Sequence, residues 1–552
     1  MRTVTAKIMG GEPVRVEKTQ TLLQLSEGYR HLFKSDILLA KVNNEVTELN
    51  RTLPDDCAVE FLDILDSNGF KAYQCGVVLL MICAVKELLG KKTCVIVEHS
   101  INKNYYCEID KRGLEITDAL LKQIEALMRE LVDKNLPIEK FSVPVAEAAR
   151  LFNDFGMPDK VGNLRYRRTA NVNLYKLNGY YDYFYGSMAP NTGCLKRFGL
   201  SKRDKGFMLQ FPSSSDPEAM SDLKPLKKVS QVFAEANNWA KILNVTTVGE
   251  MNDKICNGEF NEIIRTSEAL HEKKIAYIAD EITNSKNKIV LVAGPSSSGK
   301  TTFSERLRIQ LRVNGLRPYL LSLDNYFHGR DQAPIGPDGR PDFENFTFMD
   351  SETLNDDLTR LLKGEEVEIP HYNFHTGKRE YRGNKMRLER GDVLLMEGIH
   401  ALNDALTYSV PKSKKFRIFI SALTQLNIDN HNRIPTSDTR LLRRIVRDYQ
   451  FRGVTAATTI AQWPSVTRGA DQYIFPYQEQ ADAFFNSALI YEMSVLKQYA
   501  EPLLFRIDKN RPEYADARRL IKFLDSFIAG SDENVNINSI LREFIGGSCF
   551  ET

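Results

Sequence analysis

The sequence predicts an α/β protein in which a C-terminal unit, built on a parallel sheet covered by helices, follows two smaller α+β units. Three observations carry this. The short apolar runs IVLVA (289–293), PYLLSL (318–323), DVLLME (392–397), FRIFIS (416–421) and PLLFRI (502–507) alternate with helix-patterned stretches, the signature of a parallel sheet with both faces buried. Before residue 286 the apolar pattern switches instead between strand-like and helix-like periods. The 552 residues also exceed what one hydrophobic core holds.

Residues 1–65 read as a small α+β unit. TVTAKIM and PVRVEK alternate like paired strands around the turn Gly10-Gly11, LLAKVNN and CAVEFLDIL are strand-like, and a helix around TLLQLSEGYRHL lies between. Residues 66–235 form the second unit: a helix through FKAYQCGVVLLMICAVKELLG closed by Gly90, the strand pair CVIVEHSI and NYYCEID, and an amphipathic helix from about Asp118 to Asp133. Residues 236–285 are helix-patterned and connect to the last unit, 286–552.

Lys plus Arg (74) nearly balance Asp plus Glu (72), and a net charge of +2 supplies no overall field for a nucleic acid or an anionic membrane. Any polyanion site must be local. The eight cysteines contain no CxxC pair, which fits reduced thiols and offers no zinc cassette. The opening MRTVTAKIMGGEPVRVE lacks the apolar core of a signal peptide, and GVVLLMICAV (76–85) is too short to cross a bilayer. A cytoplasmic protein without membrane contact is expected.

Gly294-Pro295-Ser296-Ser297-Ser298-Gly299-Lys300-Thr301, followed by Thr302, matches the phosphate-binding P-loop pattern, with a strand before it and the helix-compatible SERLRIQLRV behind. Glycines let backbone N–H groups turn inward around phosphate oxygens, and the following helix presents its positive end. Lys300 would reach the β- and γ-phosphates and the Thr301 hydroxyl would hold Mg2+. The bland alternative is a solvated Gly/Ser turn. The next strand ends at Asp324, at the carboxyl edge where open α/β sheets bind ligands, so its carboxylate could take a proton from a hydroxyl and help organise a metal. Glu397 ends a third strand in the same way. Arg440, Arg443, Arg444 and Arg447 recur at three- and four-residue spacings and share a helix face that could close over phosphates.

The order GPSSSGKTT, SLDNYF, IPHYNF, MEGIHAL, DTRLLRRIVRD, FRG and Gly-Ala-Asp at 469–471 resembles the uridine kinase and phosphoribulokinase superfamily of P-loop kinases, uridine kinase the more closely, over about 286–510. The resemblance implies ATP and Mg2+ as cofactors. It implies Asp324 as the catalytic base near the metal, Glu397 as the metal-site acid, Thr301 as the P-loop metal ligand, and Arg440, Arg443 and Arg447 as lid arginines acting with Lys300. Tyr372 matches the aromatic residue lying against the base, and Asp342 and Phe343 look like the sugar-contacting segment. Tyr326, His375 and Arg379 belong to the same acceptor side. Two departures stand out: Gly377 occupies the position where uridine kinases carry a base-reading His, with His375 two residues away, and Arg452-Gly453-Val454 replaces Arg-Gly-Arg.

Residues 1–65 resemble the TGS domain, and 67–235 resemble the editing domain of threonyl-tRNA synthetase, above all at YDYFYGSMAPNT (181–192). The metal-like constellation of that editing site aligns with Cys75, Leu79, Phe184 and Met188. Leucine and phenylalanine can neither bind zinc nor move a proton, so the hydrolytic site is expected to be dead.

The resulting expectation is a nucleoside kinase transferring the ATP γ-phosphoryl group to the 5′-hydroxyl of a small-molecule nucleoside, uridine or cytidine first. Another nucleoside, a sugar phosphate as in phosphoribulokinase, and a nucleotide-gated RNA- or ribosome-associated protein without such transfer are the alternatives. Basic runs at 165–168 and 202–205 make RNA contact by the front half one reading and solvated loops the other. The oligomeric state stays open, homo-oligomers included.

Overall fold

IVLVA at Ile289–Ala293 buries all five of its side chains, so it can only be a central strand of a sheet covered on both faces. In the computed structural model, which describes residues 3–224, 226–337, 339–373 and 376–550, it is the middle strand of five. The order across this sheet is Arg317–Ser322, Asp392–Glu397, Ile289–Ala293, Lys415–Ser421 and Ala483–Asn486, every pair parallel. The first strand therefore lies between the third and the fourth. The chain winds outward in opposite directions from this point, leaving a crevice at the carboxyl ends.

Four of these strands are those read from the sequence; the fifth is not. PLLFRI belongs to the helix Glu492–Phe505, which carries Pro502 inside it, and the edge strand is Ala483–Asn486. A short apolar run cannot by itself distinguish a buried helix turn from a strand, and Leu503 and Leu504 continue the buried helical face begun at Val495, Leu496 and Ala500.

The front half holds three further sheets. Residues 3–62 form a mixed five-stranded sheet in which Thr3–Ile8 pairs antiparallel with Pro13–Glu17 and parallel with Cys57–Leu62. Behind it run a four-stranded antiparallel sheet containing Cys94–Ile101 and Asn104–Asp110, and a three-stranded one from Glu139–Pro144, Asn171–Leu177 and Tyr180–Asp182. The helix Asp118–Asp133 has the bounds its periodicity predicts, with the Thr117 hydroxyl accepting the Leu120 N–H.

The helix Ser67–Leu89 is longer than its apolar run suggested. By length and composition it could cross a membrane, yet 78% of its apolar window is buried inside the fold, and residues 76–86 are buried on every side. A helix apolar all round is either a membrane span or a core. Here it is the core of the second unit.

Front and back halves meet at a buried charge cluster. Lys160, on the helix Pro158–Leu164, sends its ammonium to Asp182 at 2.9 Å and to Asp429 at 2.8 Å, with all three side chains 0–1% exposed. Asp429 sits on the hairpin made by Asn427–Asp429 and Asn432–Arg433. His431, at the same turn, places Nδ1 2.8 Å from Asp182. The Asn432 amide donates to the Tyr183 carbonyl at 2.9 Å, and the Val97 N–H donates to the Asn430 carbonyl at 2.7 Å. Burial alone would raise the Asp182 carboxyl, but His431 and Lys160 outweigh it and hold the group well below its ordinary value. Burial likewise disfavours the Lys160 ammonium, and Asp182 and Asp429 reverse that.

The Lys160→Ala variant should lose about 3–5 kcal/mol of stability, because two carboxylates stay buried without their cation. Urea denaturation measures this, and a wild-type midpoint would contradict the role assigned to the cluster. The depressed Asp182 contributes stability that is present above its unfolded value near 3.8 and lost as pH falls, while the raised Lys160 contributes stability present below 10.5 and lost as pH rises. The alkaline dependence should disappear in the variant, and the acid one should shrink to the part that His431 supports.

Candidate active site

The P-loop leaves the central strand at Gly294 and enters the helix Lys300–Val313. Gly294 is obligatory for space: a Cβ there would stand 2.2 Å from the Ile420 carbonyl oxygen. Gly299 has φ +84°, a left-handed conformation that glycine adopts without strain. Ser297, at φ +61°, is a non-glycine residue in that region. The hydroxyls of Ser297, Ser298 and Thr302 are buried with no hydrogen-bond partner. Buried polar atoms left unpaired are costly, and hydroxyls lining a turn at a helix N-terminus fit phosphate oxygens. The donor set therefore suits a nucleotide polyphosphate.

Asp324 lies in the helical turn Leu323–Tyr326 that follows the second strand, and Glu397 ends the adjacent third strand, where Ser322 and Glu397 are register partners. The Ser322 hydroxyl donates to Glu397 at 3.0 Å. Burial raises the Asp324 carboxyl above its usual range, against the pull of Lys300, Arg452 and Arg447. Glu397, buried and then repelled by Asp324, is pushed up to about 7, with Lys300 opposing. Glu344 is raised by burial against Arg444, Lys300 and Arg440. Asp324 and Glu397, at the ends of neighbouring strands, offer carboxylate oxygens that a divalent cation could share with phosphate. Mg2+ is bound through one or two carboxylates plus phosphate oxygens, a donor set that Asp324 and Glu397 fit.

The expected lid helix is Thr436–Arg452. Arg440 Nε donates to the Ser296 carbonyl at 3.0 Å, and Arg444 Nη1 donates to the Ser296 hydroxyl at 2.9 Å, so both guanidiniums rest on the P-loop. Burial lowers Arg440 to about 10. Arg447 pairs with Asp448 at 2.8 Å. Arg443 is fully buried: it pairs with Glu492, donates to the Ser487 carbonyl at 2.8 Å and also reaches the P-loop, donating to the Ser297 carbonyl at 3.4 Å. Helical spacing put four arginines together, but it could not say which would face the protein interior.

The acceptor-side residues divide similarly. Tyr372, 4% exposed, packs its ring 5.8 Å from Phe327, and its N–H donates to the Asn325 side chain at 3.0 Å. Asp342 is buried and accepts the Glu344 N–H at 3.2 Å, while Phe343 is 42% exposed with its ring 5.7 Å from Phe348. Tyr326 is a correction: it is fully buried, its hydroxyl donates to Asp357 at 2.9 Å, and it serves the core. Arg379 is paired with Asp350 at 2.7 Å. His375 lies outside the described residues.

Sequence reasoning named Arg444 on the lid face but left out Glu344 as a site residue, although it lies in a motif it used. In the front half, Leu79, Phe184 and Met188 share one apolar cluster with Cys75 packed against it, and burial pushes the Cys75 thiol up to about 12. A cleft of about 1680 Å³ lined by Cys75, Phe184 and Arg440 separates this region from the lid.

The fold and the site define a P-loop kinase domain, and the comparisons agree. Residues 289–492 match the family described as Phosphoribulokinase / Uridine kinase family, and this region is a P-loop domain of that family. A uridine kinase of Macrococcus caseolyticus is 29% identical over 199 residues, covering 36% of this chain and 87% of that protein. A threonine–tRNA ligase of Thermotoga neapolitana is 28% identical over 165 residues, 30% of this chain and only 26% of the ligase. A solved structure described as a "Possible Uridine Kinase" from Bacillus stearothermophilus covers 39% of this chain and 97% of its own at 18% identity, with a TM-score of 0.27.

A carboxyl raised in the folded state binds its proton more tightly there than in the unfolded chain, so its contribution to stability falls as pH rises from its unfolded value near 4.5 through about 7. The wild type should therefore lose stability between about pH 5 and pH 7 more steeply than Glu397→Gln. Urea midpoints across that window test this, and parallel profiles would refute it.

Proposed function

We propose that the chain is an ATP- and Mg2+-dependent nucleoside kinase, transferring the γ-phosphoryl group to the 5′-hydroxyl of a pyrimidine ribonucleoside in the cytoplasm. The observation that carries this reading is the convergence of Lys300, Asp324 and Glu397 at the carboxyl ends of three adjacent strands, beside a loop of buried unpaired hydroxyls. The chemistry a bound magnesium would supply is positive charge against the charge developing in phosphoryl transfer. Thr301, Asp324 and Glu397 would hold the ion.

Lys300 would orient the donor phosphates as a fixed cation. Asp324 would accept the acceptor's hydroxyl proton, a task favoured by a carboxyl that burial raises above its usual range. Arg440 and Arg444, already resting on the P-loop, would spread positive charge over the transferring group and exclude water. Tyr372 and Phe327 would form one wall for a base, and Asp342 would meet the sugar hydroxyls. We read the front half as a TGS-like and editing-like scaffold without hydrolytic chemistry, a reading supported by the apolar packing of Leu79, Phe184 and Met188.

ADP release from Mg-ATP against a panel of nucleosides and sugar phosphates, with product masses, should give a nucleoside monophosphate. Asp324→Asn should lower acceptor-dependent turnover by about 100-fold or more while leaving nucleotide affinity within a few-fold. Turnover that survives this substitution, or a phosphorylated sugar phosphate as the product, would displace the proposal.

A further inference from the structure

The chain folds its own C-terminus onto the P-loop. Residues 535–549 contain the short helix Arg542–Ile545, and Ile540, Leu541 and Phe544 are wholly buried. The ring of Phe544 lies 4.9 Å from the Arg443 guanidinium, and the Gln450 amide donates to the Ile545 carbonyl at 3.0 Å, so the tail is bonded to the lid helix. Arg542 braces the tail from within, pairing with Asp532 at 3.0 Å and donating to the Val535 carbonyl at 2.9 Å.

Two contacts reach the phosphate loop itself. A Cβ built on Gly299 would stand 2.5 Å from Ile540 Cγ2, so the tail lies directly against the loop's last glycine. Glu543, 7% exposed, accepts the Thr302 backbone N–H at 3.2 Å. Thr302 is in the first turn of the helix Lys300–Val313, where N–H groups have no partner within the helix and the dipole favours an anion. This turn has no acid of its own. The carboxylate that caps it comes from 241 residues downstream. A carboxylate oxygen at that N–H has the charge and hydrogen-bonding character of a phosphate oxygen.

We propose that residues 535–549 are a built-in plug that competes with the donor nucleotide, with the Glu543 carboxylate standing in for a phosphate group at the Thr302 N–H. The inference rests on the phosphate-binding reading of the loop given above. The lid arginines Arg440 and Arg444 lie on the P-loop and the tail lies beside Arg443 of the same helix. Seating the polyphosphate requires the tail to leave, and the measured nucleotide affinity is reduced by the fraction of molecules in which it has left.

Hydrogen exchange of the full-length wild-type chain, with and without saturating Mg-ATP, tests this directly and needs no variant. Protection of 535–549 should fall when Mg-ATP is added. Titration calorimetry of Glu543→Gln, which removes the charge but keeps the side-chain shape, should give Mg-ATP affinity about tenfold tighter than the wild type. A tail that stays protected at saturation, or a variant that binds no more tightly, overturns the plug and leaves the kinase reading standing. No Mg-ATP binding by either protein overturns both.

Discussion

A lysine ammonium with almost no exposed surface has one tolerable arrangement, in which opposite charges and hydrogen bonds replace the water it has lost. Lys160 takes one carboxylate from the front half, Asp182, and one from the back half, Asp429. The pair can be satisfied only when the two halves sit in one relation to each other. The hairpin that carries Asp429 runs through Pro435 straight into the lid helix, whose first turn is tied down by Asp438 and Arg519 at 2.5 Å. From this joint to Arg440 and Arg444 on the P-loop the chain is continuous and buried for most of its length. Such a cluster contributes specificity of docking rather than net stability, since an apolar core of equal volume could match it energetically.

The P-loop end of the same path is built on charge that does not cancel. Asp324, Glu397 and Glu344 are all raised by burial, while Arg440 is lowered to about 10 by the same cause. A fold selected only for stability would not gather like charges at the edge of its main sheet. Perturbed groups of this kind concentrate where chemistry is done, because a reacting anion and its metal rebalance them. The tail belongs to this balance, for Glu543 adds to the repulsion felt by Glu397.

Much of this was legible from residues alone. Ile289–Ala293 and Asp392–Glu397 are runs that periodicity and composition identify, and the glycines and Lys300 mark the loop without further help. The errors have physical causes. PLLFRI carries a strand-like composition, but its residues complete a helical face already begun upstream. Tyr326 follows Asp324 by two positions, and the helical turn that presents Asp324 to the crevice rotates Tyr326 into the core against Asp357. Arg443 is a different case: it shares a spacing with Arg440 and Arg447 and reaches the Ser297 carbonyl, while buried Glu492, from a helix beginning 49 positions later, holds its other edge.

The sequence by itself determined four strands of the main sheet, the phosphate loop and the identities of the strand-end carboxylates, because each depends on residues within a few positions of one another, where backbone geometry and side-chain period are decided locally. Only the tertiary structure decided which arginines face the loop, how Lys160 locks front to back, and that Glu543 reaches Thr302. Those are contacts across tens to hundreds of residues, set by how the cores pack, and no local pattern encodes which distant charge a buried group will meet.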